Sequence, residues 1–185
     1  MKFELNNSIR ESSRIELGIE EEDLLIVYIS NDVNKELDTF VLETLANISV
    51  SKSRIKVIMF WQTKAPEAEV LLKEIVKDVS KKVKRFSIDQ TFRLIIETFT
   101  DETLNTMLNS ADIVIHLGYD GKIIQKSLLC SRPTINSLMR FASYSEVISK
   151  NEHFLSSLNK LIDVSSYRRF LEENAIRNRK TIEEM

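Results

Sequence analysis

Only three glycines and two prolines occur in the 185 residues, so few positions can turn left-handed or bring backbone close to a ligand. No GxGxxG or GxxxxGK(S/T) run is present. That excludes the two common glycine-rich phosphate loops, and any phosphate site has to work with Gly18, Gly118 and Gly121. One cysteine, Cys130, excludes an internal disulfide and a multi-cysteine zinc site. No apolar run approaches the roughly 20 residues of a membrane-spanning helix. The amino-terminal MKFELNNSIRESSR is too polar for a secretory signal, so a cytoplasmic location is expected. A net charge of -2 gives no overall attraction to nucleic acid or to anionic membranes.

What is present is an ordinary globular composition, 43% hydrophobic and 29% charged, in a length that makes one domain over residues 1–185. Short β-rich runs alternate with longer helical ones. Residues 24–29 (LLIVYI) and 55–61 (IKVIMFW) are near-continuous apolar runs, as strands covered on both faces require. Residues 94–99, 113–117 and 133–136 predict further strands. Helical stripes run through 38–48, from Pro66 to Val79, and over 101–109. Residues 144–185 read as mostly helical, with Phe154, Leu155, Leu158, Leu161 and Ile162 on one stripe. This alternation predicts a Rossmann-like three-layer α/β/α domain, its parallel sheet of five or six strands carrying helices on both faces.

Ligands on such sheets bind beyond the carboxyl ends of the strands. That singles out residues 30–35, 61–63 and 118–126. Most of the chemically tempting side chains nearby have structural explanations. His116 ends a buried strand, Cys130 sits among leucines as a small core residue, and Trp61 is placed to pack its neighbours. His153 lies in a polar helical stretch. The run Lys77, Lys81, Lys82, Lys84 and Arg85 lacks interleaved aromatics and reads as a solvated helix end, not a nucleic-acid surface.

Taken in order, several segments resemble one family. SRIELGI (13–19) is similar to an arginine–leucine–glycine lead-in before a first strand, and LLIVYISNDVNKELDTFVLETL to that strand, a lysine-bearing loop and a helix. LNSADIVIHLGYDGK followed by LLCSRPTINS resembles an "ADIVVHPS-EG … CGKP-I" step, and SEVISKNEHF with LNKLIDVSSYRRFLEENAIRN resembles closing helices. Together these segments resemble the C-terminal, donor-binding half of GT-B glycosyltransferases of family 4 (group 1), across nearly the whole chain.

The resemblance implies a nucleotide or nucleotide-sugar donor at the strand ends. Lys35 matches the diphosphate-holding lysine, while Ser30 stands where the family has an arginine. Gly118, Asp120 and Gly121 match the start of the last loop, and Lys122 and Lys126 add positive charge. The family's ribose-binding glutamate falls on Lys126 or Leu128, depending on the end from which one counts. Losing that carboxylate removes about 1.5–3 kcal/mol of recognition. The resemblance begins about twelve residues into the chain, so the acceptor-binding half is expected from a partner acceptor-domain protein or from a longer enzyme of which this is a fragment, and the face that would meet it is expected to be covered by a homodimer or a partner. A catalytically silent GT-B-like interaction or regulatory module is the alternative.

Overall fold

The computed structural model describes residues 2–31, 34–61, 66–83, 92–96, 100–148 and 151–185. Six strands, β1 (Leu24–Ser30), β2 (Ile55–Trp61), β3 (Phe92–Ile96), β4 (Ile113–His116), β5 (Thr134–Asn136) and β6 (Glu146–Val147), form one sheet in the order β3-β2-β1-β4-β5-β6. Every ladder is parallel. The helices are α1 (Asn7–Glu16), α2 (Lys35–Ser51), α3 (Pro66–Lys82), α4 (Asp101–Ser110), α5 (Gly121–Leu129), α6 (Asn151–Asp163), α7 (Ser165–Arg177) and α8 (Arg179–Glu183).

Period-two alternation in the strands sorts the core into two faces. Ile26, Tyr28, Val57, Met59, Ile113 and Ile115 point to one side, where α2, α3, α6 and α7 cover them. Leu25, Val27, Ile29, Ile58, Phe60 and Val114 point to the other, against Leu104, Leu108 and Ile123 of α4 and α5. Residues 24–29 and 55–60 were expected to be central and buried, and Leu25, Ile26, Val27 and Ile29 are fully so. Each such side chain contributes on the order of 1.5–3 kcal/mol by leaving water.

Element boundaries differ from expectation where caps decide them. α2 starts at Lys35, not residue 38, because Asn34 caps it by accepting the Leu37 N–H at 3.0 Å. α1 has the same kind of start, with Asn6 accepting from Ile9. It ends in a Schellman turn: Gly18 takes φ 66°, Ile19 N donates to Arg14 O and Gly18 N to Ile15 O. That turn is the physical content of the arginine–leucine–glycine lead-in. β6 interrupts the stretch from 144 expected to be helical, since a two-residue strand has no periodicity to detect. Residues 97–99, Gln62, Thr63, Lys84 and Arg85 lie outside the described residues.

The amino ends of β1 and β4 are joined by a carboxylate. Asp112 Oδ2 accepts from Leu25 N at 2.7 Å and from Arg14 Nη1 at 3.0 Å, while Oδ1 accepts from Arg10 Nη2. Both arginines also donate to carbonyls at the end of α4, so α1, α4, β1 and β4 meet in one network.

A second polar cluster sits under the carboxyl end of β1. Tyr28 OH donates to Asp38 Oδ1 at 2.5 Å and Asn34 N to Oδ2 at 2.8 Å. Burial pushes the Asp38 carboxyl up to about 6, outweighing the hydrogen bonds that favour its charged form. The same burial, with Asp38 beside it, raises the Tyr28 phenol well above its ordinary value. The group is more readily protonated in the fold than in the unfolded chain. Its stabilising contribution is therefore complete below the ordinary value of 3.8 and is lost as pH rises through about 6.

Asp112→Ala should cost about 2–4 kcal/mol, because two arginines and a backbone N–H lose their acceptor. Urea unfolding checks this, and a cost below about 1 kcal/mol would mean that the network is incidental. For Asp38, the stability difference between wild type and Asp38→Asn should fall as pH is raised from about 4 to 6; a flat difference contradicts the assignment.

Candidate functional site

The strand order reverses between β1 and β4, which makes the crevice beyond their carboxyl ends the place for a ligand. Two hydrogen bonds fix it. His116 Nδ1 lies 2.9 Å from the Ile29 carbonyl, and Asn31 Nδ2 donates to Asp120 Oδ2 at 3.4 Å. His116 is fully buried, and burial lowers its pKa. The other ring nitrogen, Nε2, is buried without a hydrogen-bond partner among the described residues.

Asp120 caps α5, its Oδ1 accepting the Lys122 N–H at 2.9 Å. Gly118 and Gly121 matter here for closeness, not for φ. A Cβ on Gly118 would stand 2.9 Å from His116 Cε1 and 3.0 Å from Asn31 Oδ1. A Cβ on Gly121 would stand 1.6 Å from an Arg140 guanidinium nitrogen. Arg140, on the 3₁₀ turn Met139–Phe141 after β5, thus lies directly against the first residue of α5, with its guanidinium 4.9 Å over the Phe141 ring. Among the described residues, neither Arg140 nor Lys122 has an ion-pair partner.

The other expected site residues go elsewhere. Ser30 is buried, its hydroxyl directed to the Asp38 carboxyl. Lys35 turns along α2 to Glu74 of α3 at 3.2 Å, beside a groove of mixed charge lined by Phe40, Glu43, Asp78 and Lys82. Lys126 pairs with Asp101 at 2.6 Å and sits 4.5 Å over the Phe3 ring. Leu128, the other position counted for the ribose carboxylate, is in the core.

The structure therefore brings Gly118, Asp120, Gly121 and Lys122 together and adds Arg140, which sequence reading missed. The signal for it was position: Arg140 follows the fifth strand and so belongs at a strand's carboxyl end. Cys130 is buried, and burial pushes its thiol up to about 12, as befits a core residue. Trp61 is likewise buried, its indole nitrogen close to the Asp38 carboxyl. Among the described residues there is no cluster of three metal-ligating side chains, and no helix is long and apolar enough to cross a membrane.

No protein-family model matches the sequence, and comparison with curated proteins finds no significant match. Solved structures do match. Anabaena HepE, solved in complex with UDP and glucose, aligns with TM-score 0.72 at 13% identity over 98% of this chain and 51% of that one. The C-terminal domain of LpcC, a glycosyl transferase group 1 protein from Francisella tularensis, gives 0.72 at 15% identity, with 97% and 94% covered. The Glycosylation Associate Protein (Gap123) complex from Streptococcus agalactiae gives 0.74 at 15% identity, with 88% and 34% covered. The fold is thus that of the C-terminal GT-B-type domain. The chain spans about half the length of HepE.

The two loop glycines make separable demands. Gly118→Ala presses on a buried ring and should cost roughly 1–3 kcal/mol. Gly121→Ala meets only the movable end of Arg140, so it should keep thermal stability near wild type while displacing the guanidinium. Equal losses in thermal unfolding would overturn the distinction.

Proposed function

We propose that this chain binds the diphosphate of a nucleotide or nucleotide sugar at the carboxyl end of β4, as the donor-binding part of a glycosyltransferase. The acceptor-binding part then lies outside this domain, in a partner protein or in another part of a longer chain. The observation that carries the reading is Arg140 seated against Gly121 at the amino end of α5. A cation there is opposed by the helix dipole; the Asp120 carboxylate caps the same helix end, but among the described residues Arg140 has no ion-pair partner. An anion placed between them removes the repulsion and gains a charge-assisted hydrogen bond from a planar donor fork. Lys122, exposed and unpaired among the described residues, adds to the potential. In this reading Arg140 takes the part of the arginine that Ser30 replaces, and Lys122 takes the part expected of Lys35. During transfer the same donors face the charge that develops on the departing diphosphate.

HepE was solved with UDP and glucose, and with UDP-glucose, which supports a nucleotide-type ligand for a domain of this fold. Sugar and base are held loosely, because no carboxylate occupies the ribose-binding place. A second reading, a catalytically silent module within an assembly, is favoured by that same loss and by the likeness to a glycosylation-associated complex.

Isothermal titration with UDP, GDP and their sugar conjugates separates the two. The expected result is weak binding that falls with salt, discriminates little between sugars, drops about tenfold or more in Arg140→Ala and is unchanged in Lys35→Ala. Tight binding indifferent to Arg140→Ala would misplace the site. Absence of binding favours the silent module.

A further inference from the structure

Two exposed strips of opposite charge lie near the Asp112 network. The first is on α1 and the turn after it, beside a cleft of about 570 Å³ whose lining includes Arg10, Arg14, Ile15, Ile19 and Glu21. The two cations of this cleft are turned to Asp112. Ile15 is 79% exposed. Around it stand Glu11, Glu16, Glu20, Glu21 and Glu22, all exposed and none with an ion-pair partner among the described residues. The second strip is on α7, where Phe170 and Ile176 are each 54% exposed. The charges beside them are mostly basic, with Arg169, Arg177 and Lys180 exposed against Glu173. The Phe170 ring stacks on Tyr167 with centroids 6.3 Å apart, so it is held in place before any partner arrives.

The strips are neighbours on the surface. Glu172 of α7, its carboxyl pKa raised chiefly by burial, also feels the charges of Arg132, Asp112 and Arg10. Arg10 holds that same Asp112 from α1. The glutamate rim repels nucleic acid and anionic lipid. It attracts a surface that is both basic and apolar, which is what α7 presents. Both strips face outward, so one chain cannot join them to each other, whereas two chains can do so twice. We infer that the occupant of the α1 cleft is a second copy of this chain. The two copies pair about a two-fold axis, Phe170 and Ile176 of each seated against Ile15 and Ile19 of the other, with Arg169, Arg177 and Lys180 facing its glutamates. A two-fold pairing makes the same contact twice, which doubles the apolar area removed from water. Apolar burial sets the affinity, and the exposed charges set orientation and salt dependence. The contact lies toward the amino ends of β1 and β4, where Asp112 fastens α1, so the crevice at their carboxyl ends stays open in each copy.

Sedimentation equilibrium of the full chain tests it, with circular dichroism to show that each replacement of an exposed residue leaves the fold intact. Wild type should form dimers and nothing larger, and the dimer should weaken several-fold as salt is raised. Ile15→Asp and Phe170→Asp should each weaken it about tenfold or more. Mixing these two variants should restore part of the association, because the mixed pair keeps one contact in which both strips are intact. Glu21→Lys should weaken the dimer less and reduce its salt dependence. A wild type that stays monomeric at about 1 mM overturns the inference. So does a dimer indifferent to either aspartate variant, or a mixture no better than its components, since the two strips then do not meet. Assembly that keeps growing with concentration would mean open head-to-tail contacts and would overturn the two-fold pairing.

Discussion

The pairing of β4 with β1 is the constraint on which the rest depends. It places two loops that are nearly ninety residues apart side by side (Asn31 and Asp120 are separated by 89 positions) and so creates the reversal of strand order in the sheet. Both ends of that pair are fastened by polar groups. Asp112, with Arg10 and Arg14, secures the amino ends, and the His116–Ile29 contact secures the carboxyl ends. The apolar register between them would hold the strands together, but it is these groups that fix where α1, α4 and the crevice loops stand. A network of that kind is expensive to interrupt, because each partner left behind is a buried group without its hydrogen bond.

In the proposed reading the cation of the crevice is Arg140, which comes from the loop after β5, while the Ser30 hydroxyl is directed to the Asp38 cluster. Gly121 permits this, since any side chain there would take the guanidinium's space. An arginine beside a helix amino terminus is poorly placed for stability and well placed for anions, and that tension is the physical basis of the functional reading.

Much of the fold was legible in the sequence, and the reasons are specific. Residues 24–29 and 55–61 are apolar at nearly every position, which parallel strands buried on both faces demand. The switch-point loop was legible from Gly118, Asp120 and Gly121. The directions of long side chains were not. Lys35 and Lys126 stand at the expected positions but point to Glu74 and Asp101, carboxylates 39 and 25 residues away that no local pattern could pair with them. Arg140 was hidden for the converse reason, since only the packing of β5 beside β4 brings it to Gly121. α1 and β6 escaped because one is defined by its caps and the other is too short for periodicity.

The central claim is that an anion sits between Arg140 and the amino end of α5. Backbone amide chemical shifts followed while pyrophosphate is added test it most directly, because they report where the ligand lies whatever its affinity. The account predicts the largest changes at Gly121, Lys122 and Arg140, with little at Lys35 or Lys82. Changes centred on the α2–α3 groove, or none at saturating pyrophosphate, would contradict it.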